Sequence, residues 1–189
     1  MDNGRRLSND SLAATHAAAL YAYTLEQPGL YKTLNFNMFT PGDQADTNLK
    51  RFRDYIKHTT TAANALPNFV GMTYRGTERI FKQSLYKPGD RITWQAFSSS
   101  SRSQLAASDF VTTLPGHKLS GSLFILQVNA AKKIESFSAI PEEQEVLILP
   151  NAQFKVLRRL VTQAEKVDAL DDLSAYDMTD LNVYVLEQL

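Results

Sequence analysis

Apolar residues recur at helical spacing through the first third of the chain and at strand spacing after it. Ser8 or Asn9 is placed to cap a first helix that runs to about Leu25, with Leu12, Ala19 and Leu20 among its buried positions. Gln27-Pro28-Gly29 ends that helix. Leu30 to Phe36 predicts a second, short helix, and Thr40-Pro41-Gly42-Asp43 a loop. Asp46 to Leu66 predicts a long helix, with Leu49, Phe52, Ile56 and Ala63 at helical spacing. The pattern changes at Pro67. Val70–Arg75, Asp90–Phe97, Ser122–Val128, Lys133–Ser136, Glu145–Leu149, Phe154–Leu160 and Asn182–Leu189 predict strands. Ala164 to Tyr176 is acidic and predicts a loop or a helix. The fold class is α+β, helices first and then a largely antiparallel β core. No repeat, low-complexity tract or linker divides the chain, so 1–189 is expected to be one domain, helical over about 8–66 and β over about 67–189.

Composition narrows the partners. Lys plus Arg is 20 and Asp plus Glu is 20, for a formal net charge of zero. A broad phosphate-neutralising surface is therefore not expected, and neither is a nucleic-acid partner. No run reaches the roughly 18–20 apolar residues of a membrane span. Leu12 to Tyr23 follows Arg5 and Arg6, but Thr15 and His16 interrupt it, so it predicts a helix and not a signal peptide. With no cysteine, disulfide scaffolds, Cys-ligated metals and thiol nucleophiles are excluded. His16, His58 and His117 lack ligand spacing, and Asp168, Asp171, Asp172, Asp177 and Asp180 do not fit a calcium loop, so no metal is expected.

Three segments hold candidate chemistry. In Pro141-Glu142-Glu143-Gln144-Glu145, two carboxylates two residues apart at the mouth of a strand would share one face, roughly 6–7 Å apart along the chain. They form either a solvated acidic turn or a pair with divided labour. In the second case one stabilises an oxocarbenium-like sugar cation and the other handles a proton. Arg75 ends a strand before Gly76. It is either a surface ion-pair partner or a guanidinium aimed at a bound anion, with Gly76 admitting ligand close to the backbone. Ser98 to Ser101 is either a flexible loop or the source of a hydroxyl that fixes a buried carboxylate. No Gly-x-Ser-x-Gly elbow is present.

Arg75, the serines near 99 and Glu145 each open or close a strand, in that order. In this the sequence resembles the Arg–Ser–Glu class of mono-ADP-ribosyltransferases, shared by vertebrate ecto-enzymes, cholera-toxin-like toxins and bacterial effectors. The segments that carry the resemblance are Tyr23-Thr24 with Tyr31 and Asn35, Pro67 to Gly76, Gly89 to Phe97 with its serines, and Ile134 to Phe154.

The resemblance implies the ADP-ribosyltransferase fold, with helices on an antiparallel β-sandwich. It implies NAD as substrate, transfer of ADP-ribose to a protein side chain and release of nicotinamide. Arg75 would anchor NAD through its phosphates and ribose, and Gly76 would admit the nicotinamide carboxamide. Ser99, or Ser98 if the register slips by one, would orient the carboxylate of Glu145. Glu145 would bind the nicotinamide ribose and stabilise the cation. Glu143 would direct transfer to arginine, and Phe137 in the loop 136–144 would meet the acceptor. Residues 102–118 would lie beside the nicotinamide and phosphates. Actin, small GTPases and ubiquitin are acceptors known in such enzymes. The lack of cysteine points to the bacterial branch, a secreted toxin or effector working in the cytoplasm of a target cell. Hydrolysis of NAD by water and a pseudoenzyme that only binds are the alternatives.

Overall fold

A computed structural model describes residues 11–39 and 49–189. Ser8, Asn9, the Leu12 side chain, the loop Thr40–Asp43 and the predicted start at Asp46 lie outside the described residues. Among the described residues, three helices come first: α1 (Ser11–Thr24), α2 (Leu30–Phe39) and α3 (Arg53–Ala65). Strands β1 (Asn68–Thr77), β2 (Arg91–Trp94) and β3 (Ser98–Ser101) follow. Then come α4 (Gln104–Ser108), β4 (Thr112–Leu114), β5 (Lys118–Lys133), β6 (Glu145–Ile148) and β7 (Ala152–Leu160). Helix α5 (Gln163–Ala169) and β8 (Leu181–Gln188) complete the chain. No helix among the described residues is long and apolar enough to cross a membrane.

The strands run in the order β1-β3-β6-β5-β8-β7-β2, with β4 beside β5. Every pairing is antiparallel except β5 with β8. Strand β1 also pairs with β5, so β1, β3, β6 and the end of β5 close on one another. This is the α+β, mostly antiparallel architecture that the residue pattern predicts.

Strand β5 is buried on both faces, which explains its unbroken apolar run. Phe124, Leu126 and Val128 join Trp94, Phe154 and Tyr184 in one cluster. Leu119, Leu123 and Ile125 face the opposite way, onto Leu160, Leu170 and Val183. A third cluster joins the helices to the sheet through Leu20, Tyr23, Leu34 and Ala63 on one side and Phe97, Ile134 and Leu147 on the other.

Four predicted elements change shape. The long helix is interrupted by a turn at residues 51–52, where the Phe52 amide bonds the Leu49 carbonyl at 2.9 Å. Leu49 and Phe52 both pack onto the helical cluster there, and the tighter turn aims them inward. The strand predicted over Asp90–Phe97 ends at Trp94. Beyond it the chain crosses from one cluster to another, because Trp94 packs in the sheet and Phe97 under the helices. Lys133–Ser136 is no separate strand: Lys133 ends β5, and Glu135–Phe137 is a single 3-10 turn. The serine run is a strand and not a loop, paired with β6 from Ser98↔Ile148 to Ser101↔Glu145.

Candidate active site

Three adjacent strands converge on one cleft of about 660 Å³. Arg75 comes from β1, Ser99 from β3 and Glu145 from β6, neighbours in that order in the sheet. Glu143 and Gly76 line the same cleft.

The serine register follows from the pairing. Ser101 lies opposite Glu145, so alternation puts Ser99, Ser101 and Glu145 on one face and Ser98 and Ser100 on the other. Ser98 Oγ turns to the Ala96 carbonyl, and Ser100 Oγ donates to Val146 O at 2.8 Å. Ser101 Oγ donates to Glu143 O at 2.6 Å and caps the turn before β6. Ser99 lines the cleft beside Glu145 and is the serine that counts against the rise of its carboxyl pKa.

Glu145 is 5% exposed. Burial pushes its carboxyl up to about 7, helped by Glu143 and opposed by the Ser99 hydroxyl and Arg75. Burial likewise raises Glu143, with Glu26 and Asp109 adding repulsion. Arg75 donates from Nη1 to the Ser99 carbonyl, which pins the guanidinium to β3. Burial lowers its pKa, while Tyr23, Tyr86 and Glu145 favour the cation.

Glu143 and Glu145 do not share a strand face. Strand β6 begins at Glu145, Glu143 ends the 3-10 turn Pro141–Glu143, and Gln144 between them is left-handed at φ 50°. The turn, and not strand alternation, brings both carboxylates to the cleft. Glu142 is exposed, as its neighbouring position suggests.

Gly76 has a structural demand of its own. A Cβ there would sit 2.0 Å from the Ala107 carbonyl, so glycine lets α4 pack on β1. Phe137 does not line the cleft: it is partly buried against the helical cluster. Its loop is tied down by Arg102 with Glu135 and by the Ala139 amide on Thr24 Oγ1 at 2.9 Å. Ala107, Asp109 and Phe110 are the residues of 102–118 that reach the cleft.

The sequence model of the family described as NAD:arginine ADP-ribosyltransferase matches residues 4–175. The chain belongs to that family.

The Vis protein of Vibrio splendidus is 32% identical over 108 residues, 55% of this ADP-ribosyltransferase-family chain and 43% of the relative. Ecto-ADP-ribosyltransferase 5 of Bos taurus is 29% identical over 149 residues, 75% of this chain and 45% of the relative. The chain thus spans less than half the length of these curated relatives. The solved structure of Vis toxin, an ADP-ribosyltransferase, shares the fold, with a TM-score of 0.71 at 24% identity over 99% of this chain and 77% of that one. Vis has also been solved in complex with agmatine, at a TM-score of 0.68, 24% identity and cover of 100% and 81%.

Glu26 and Lys32 at the cleft escaped the sequence reading of this family member. Glu26 is gripped by Tyr31 OH at 2.6 Å and Lys32 Nζ at 2.9 Å. Gln27-Pro28-Gly29 was the available signal, since a tight turn between helices exposes its flanking polar residues. Among the described residues, no group of three His, Cys, Asp or Glu side chains is arranged to hold a metal ion.

Proposed function

We propose that the chain is an NAD-dependent protein mono-ADP-ribosyltransferase that modifies arginine. The observation that carries this reading is the convergence of Arg75, Ser99, Glu145 and Glu143 on one cleft, with the Glu145 carboxyl almost fully buried. The guanidinium of Arg75 suits a pyrophosphate, as a permanently charged planar fork. Glu145 accepts a hydrogen bond from the nicotinamide ribose 2′-hydroxyl, and Ser99 holds its carboxylate in place. The C1′–N bond breaks and its electron pair leaves with nicotinamide, which becomes neutral. The positive charge passes to the C1′ oxocarbenium, where a fixed carboxylate in a water-poor site stabilises it most. The acceptor guanidinium nitrogen then attacks C1′, and Glu143 takes its proton.

Arginine as acceptor rests on Glu143 at the cleft and on the relative Vis, which binds agmatine, itself a guanidinium compound. Gly76 acts by letting α4 close the nicotinamide end of the cleft. Phe137 acts on the acceptor through the shape of its loop. The acceptor is a protein of a target cell, reached by a secreted bacterial effector, in keeping with the description of Vis as a toxin. The whole of 1–189 serves as one transferase domain.

The test is incubation with labelled NAD, with and without a eukaryotic lysate, following protein labelling and free nicotinamide together. Wild type labels arginine on discrete proteins. Glu145→Gln loses both signals by about 10²–10³-fold or more, the loss seen when one transition-state charge partner is removed. Glu143→Gln loses labelling and keeps nicotinamide release. Nicotinamide release without labelling by wild type would make the chain an NAD glycohydrolase. Undiminished turnover by Glu145→Gln would overturn the assignment.

A further inference from the structure

Arg102 follows directly after β3 and does not line the cleft. It nevertheless touches both ends of the loop 136–144, which carries Glu143. At the entry, its Nη2 donates to Glu135 Oε2 at 2.5 Å. The two side chains are 31% and 33% exposed, and Glu135 opens the 3-10 turn Glu135–Phe137. At the exit, the Arg102 amide donates to the Gln144 carbonyl at 3.3 Å. The neighbouring Ser101 hydroxyl donates to the Glu143 carbonyl at 2.6 Å and accepts from the Ser103 amide at 2.8 Å. The neck between the two ends is closed by the Ile134 amide on the Glu145 carbonyl at 3.1 Å.

These ties differ in kind. The exit bonds hold backbone carbonyls. The entry bond joins two charged groups, and such a bond is roughly twice as strong as a neutral one. Among the described residues, Arg102 Nε is buried with no hydrogen-bond partner, so the guanidinium depends on Glu135 for its place. Inside the loop, the amides of Phe137, Ser138, Glu143 and Gln144 each bond to the carbonyl three residues back. The loop is therefore two tight turns in series, and a shift of the first is passed on to the second, where Glu143 stands.

We propose that Arg102 is a positioning residue that acts through Glu135, holding the acceptor loop against the end of β3 and so deciding how often a guanidinium, and not water, captures the cation. The inference rests on the reading of Glu143 given above. Both outcomes share the break of the C1′–N bond and part at the next step. A guanidinium nitrogen bonds to C1′ and passes its proton to Glu143. A water oxygen bonds to C1′ and passes its proton to solvent, which leaves free ADP-ribose. The first route needs Glu143 beside the acceptor nitrogen, and the second does not. Glu145 is held apart from the loop, by the pairing of β6 with β3.

The test supplies NAD with agmatine as the acceptor. It reads ADP-ribosyl-agmatine against free ADP-ribose, and nicotinamide release as total turnover. Glu135→Gln keeps the size of the side chain and removes its charge. It should lower the ratio of transfer to hydrolysis by ~10-fold, since a misplacement of about 1 Å costs up to about 100-fold. Nicotinamide release without agmatine should stay within about twofold. Arg102→Ala should have the same effect, and the two changes together should cost no more than either alone. Arg102→Lys keeps a cation and should recover part of the ratio. The ratio is a property of each turnover and does not depend on how much of the protein is folded. It therefore separates positioning from lost stability, and Glu135→Gln with Arg102→Lys carries the test if Arg102→Ala folds poorly. An unchanged ratio would overturn the proposal. So would a parallel fall of transfer and release, or additive losses in the double variant. Glu143→Gln is assayed alongside. A wild-type ratio in that variant would sink the reading of Glu143 itself. A lowered ratio there, with none in Glu135→Gln, would sink the role of Arg102 alone.

Discussion

At the scale of a residue, Glu145 couples stability to activity. Its carboxyl is raised from 4.5 to about 7, chiefly because it is buried. A raised carboxyl favours the protonated fold. The stability it contributes is therefore complete below about pH 4.5, declines as pH rises to about 7, and stays lost above that. At 1.36 kcal/mol per tenfold change in proton affinity, the cost at pH 8 is about 3 kcal/mol. Glu145→Gln removes the charge and should raise the melting temperature at pH 8 while leaving it nearly unchanged at pH 4. Thermal melts at the two pH values check this, and equal shifts would show that burial does not strain the carboxylate. Activity has the opposite demand, since the oxocarbenium needs the ionised form. In the free enzyme, kcat/KM should rise with pH through about 7 and then level off. The bound nicotinamide ring is a cation and favours the carboxylate, so the limb in kcat should lie at lower pH than the limb in kcat/KM.

At the scale of an element, the cleft depends on how α4 is docked. Gly76 admits the Ala107 carbonyl, and Gln104 ties the same helix to Tyr74 OH at 3.3 Å and to Asp171 Oδ1 at 3.1 Å. Gly76→Ala should force α4 outward and destabilise the fold by about 1–3 kcal/mol. It should also raise KM for NAD, because Ala107, Asp109 and Phe110 move with the helix. Urea melts together with NAD kinetics check both parts. A change in stability without one in KM would confine Gly76 to packing. The elements also mark what could be read from sequence. The apolar runs of β5, β6 and β8 were legible because strands with buried faces are apolar throughout. The serine strand was not, since serine favours loops and β3 is held by its neighbours' ladders. Helix α5 was left open between loop and helix, although Thr162 and Glu165 form a capping box that was there to be read. Glu143 reached the cleft as expected but by a different route. Pairing and φ decide where a turn aims a side chain, and spacing alone does not carry that information.

At the scale of the molecule, the cleft lies where two halves meet. Tyr23, Thr24, Tyr31 and Asn35 come from the helices, while Arg75, Ser99 and Glu145 come from the sheet. The helices do not stand apart from the strands. Tyr23 packs on Phe97, Tyr55 OH donates to the Ala19 carbonyl at 3.0 Å, and Lys132 on β5 donates to Leu66 O at the end of α3 at 2.8 Å. A single cooperative unit is the expectation from that sharing, because the helical cluster loses Phe97, Ile134 and Leu147 if the sheet opens. Trp94 is the sole tryptophan and packs within the sheet cluster, away from the helices. Its fluorescence therefore reports the sheet, and ellipticity near 222 nm is dominated by the helices. The two should give one coincident urea transition. If ellipticity is lost first, helices α1 to α3 are a separable lobe, and the cleft should open before the sheet unfolds. Activity measured at rising urea decides which is lost first. In a cooperative molecule it falls with the fluorescence; in a two-lobed one it falls with the ellipticity, since Tyr23 and Asn35 leave the cleft with the helices.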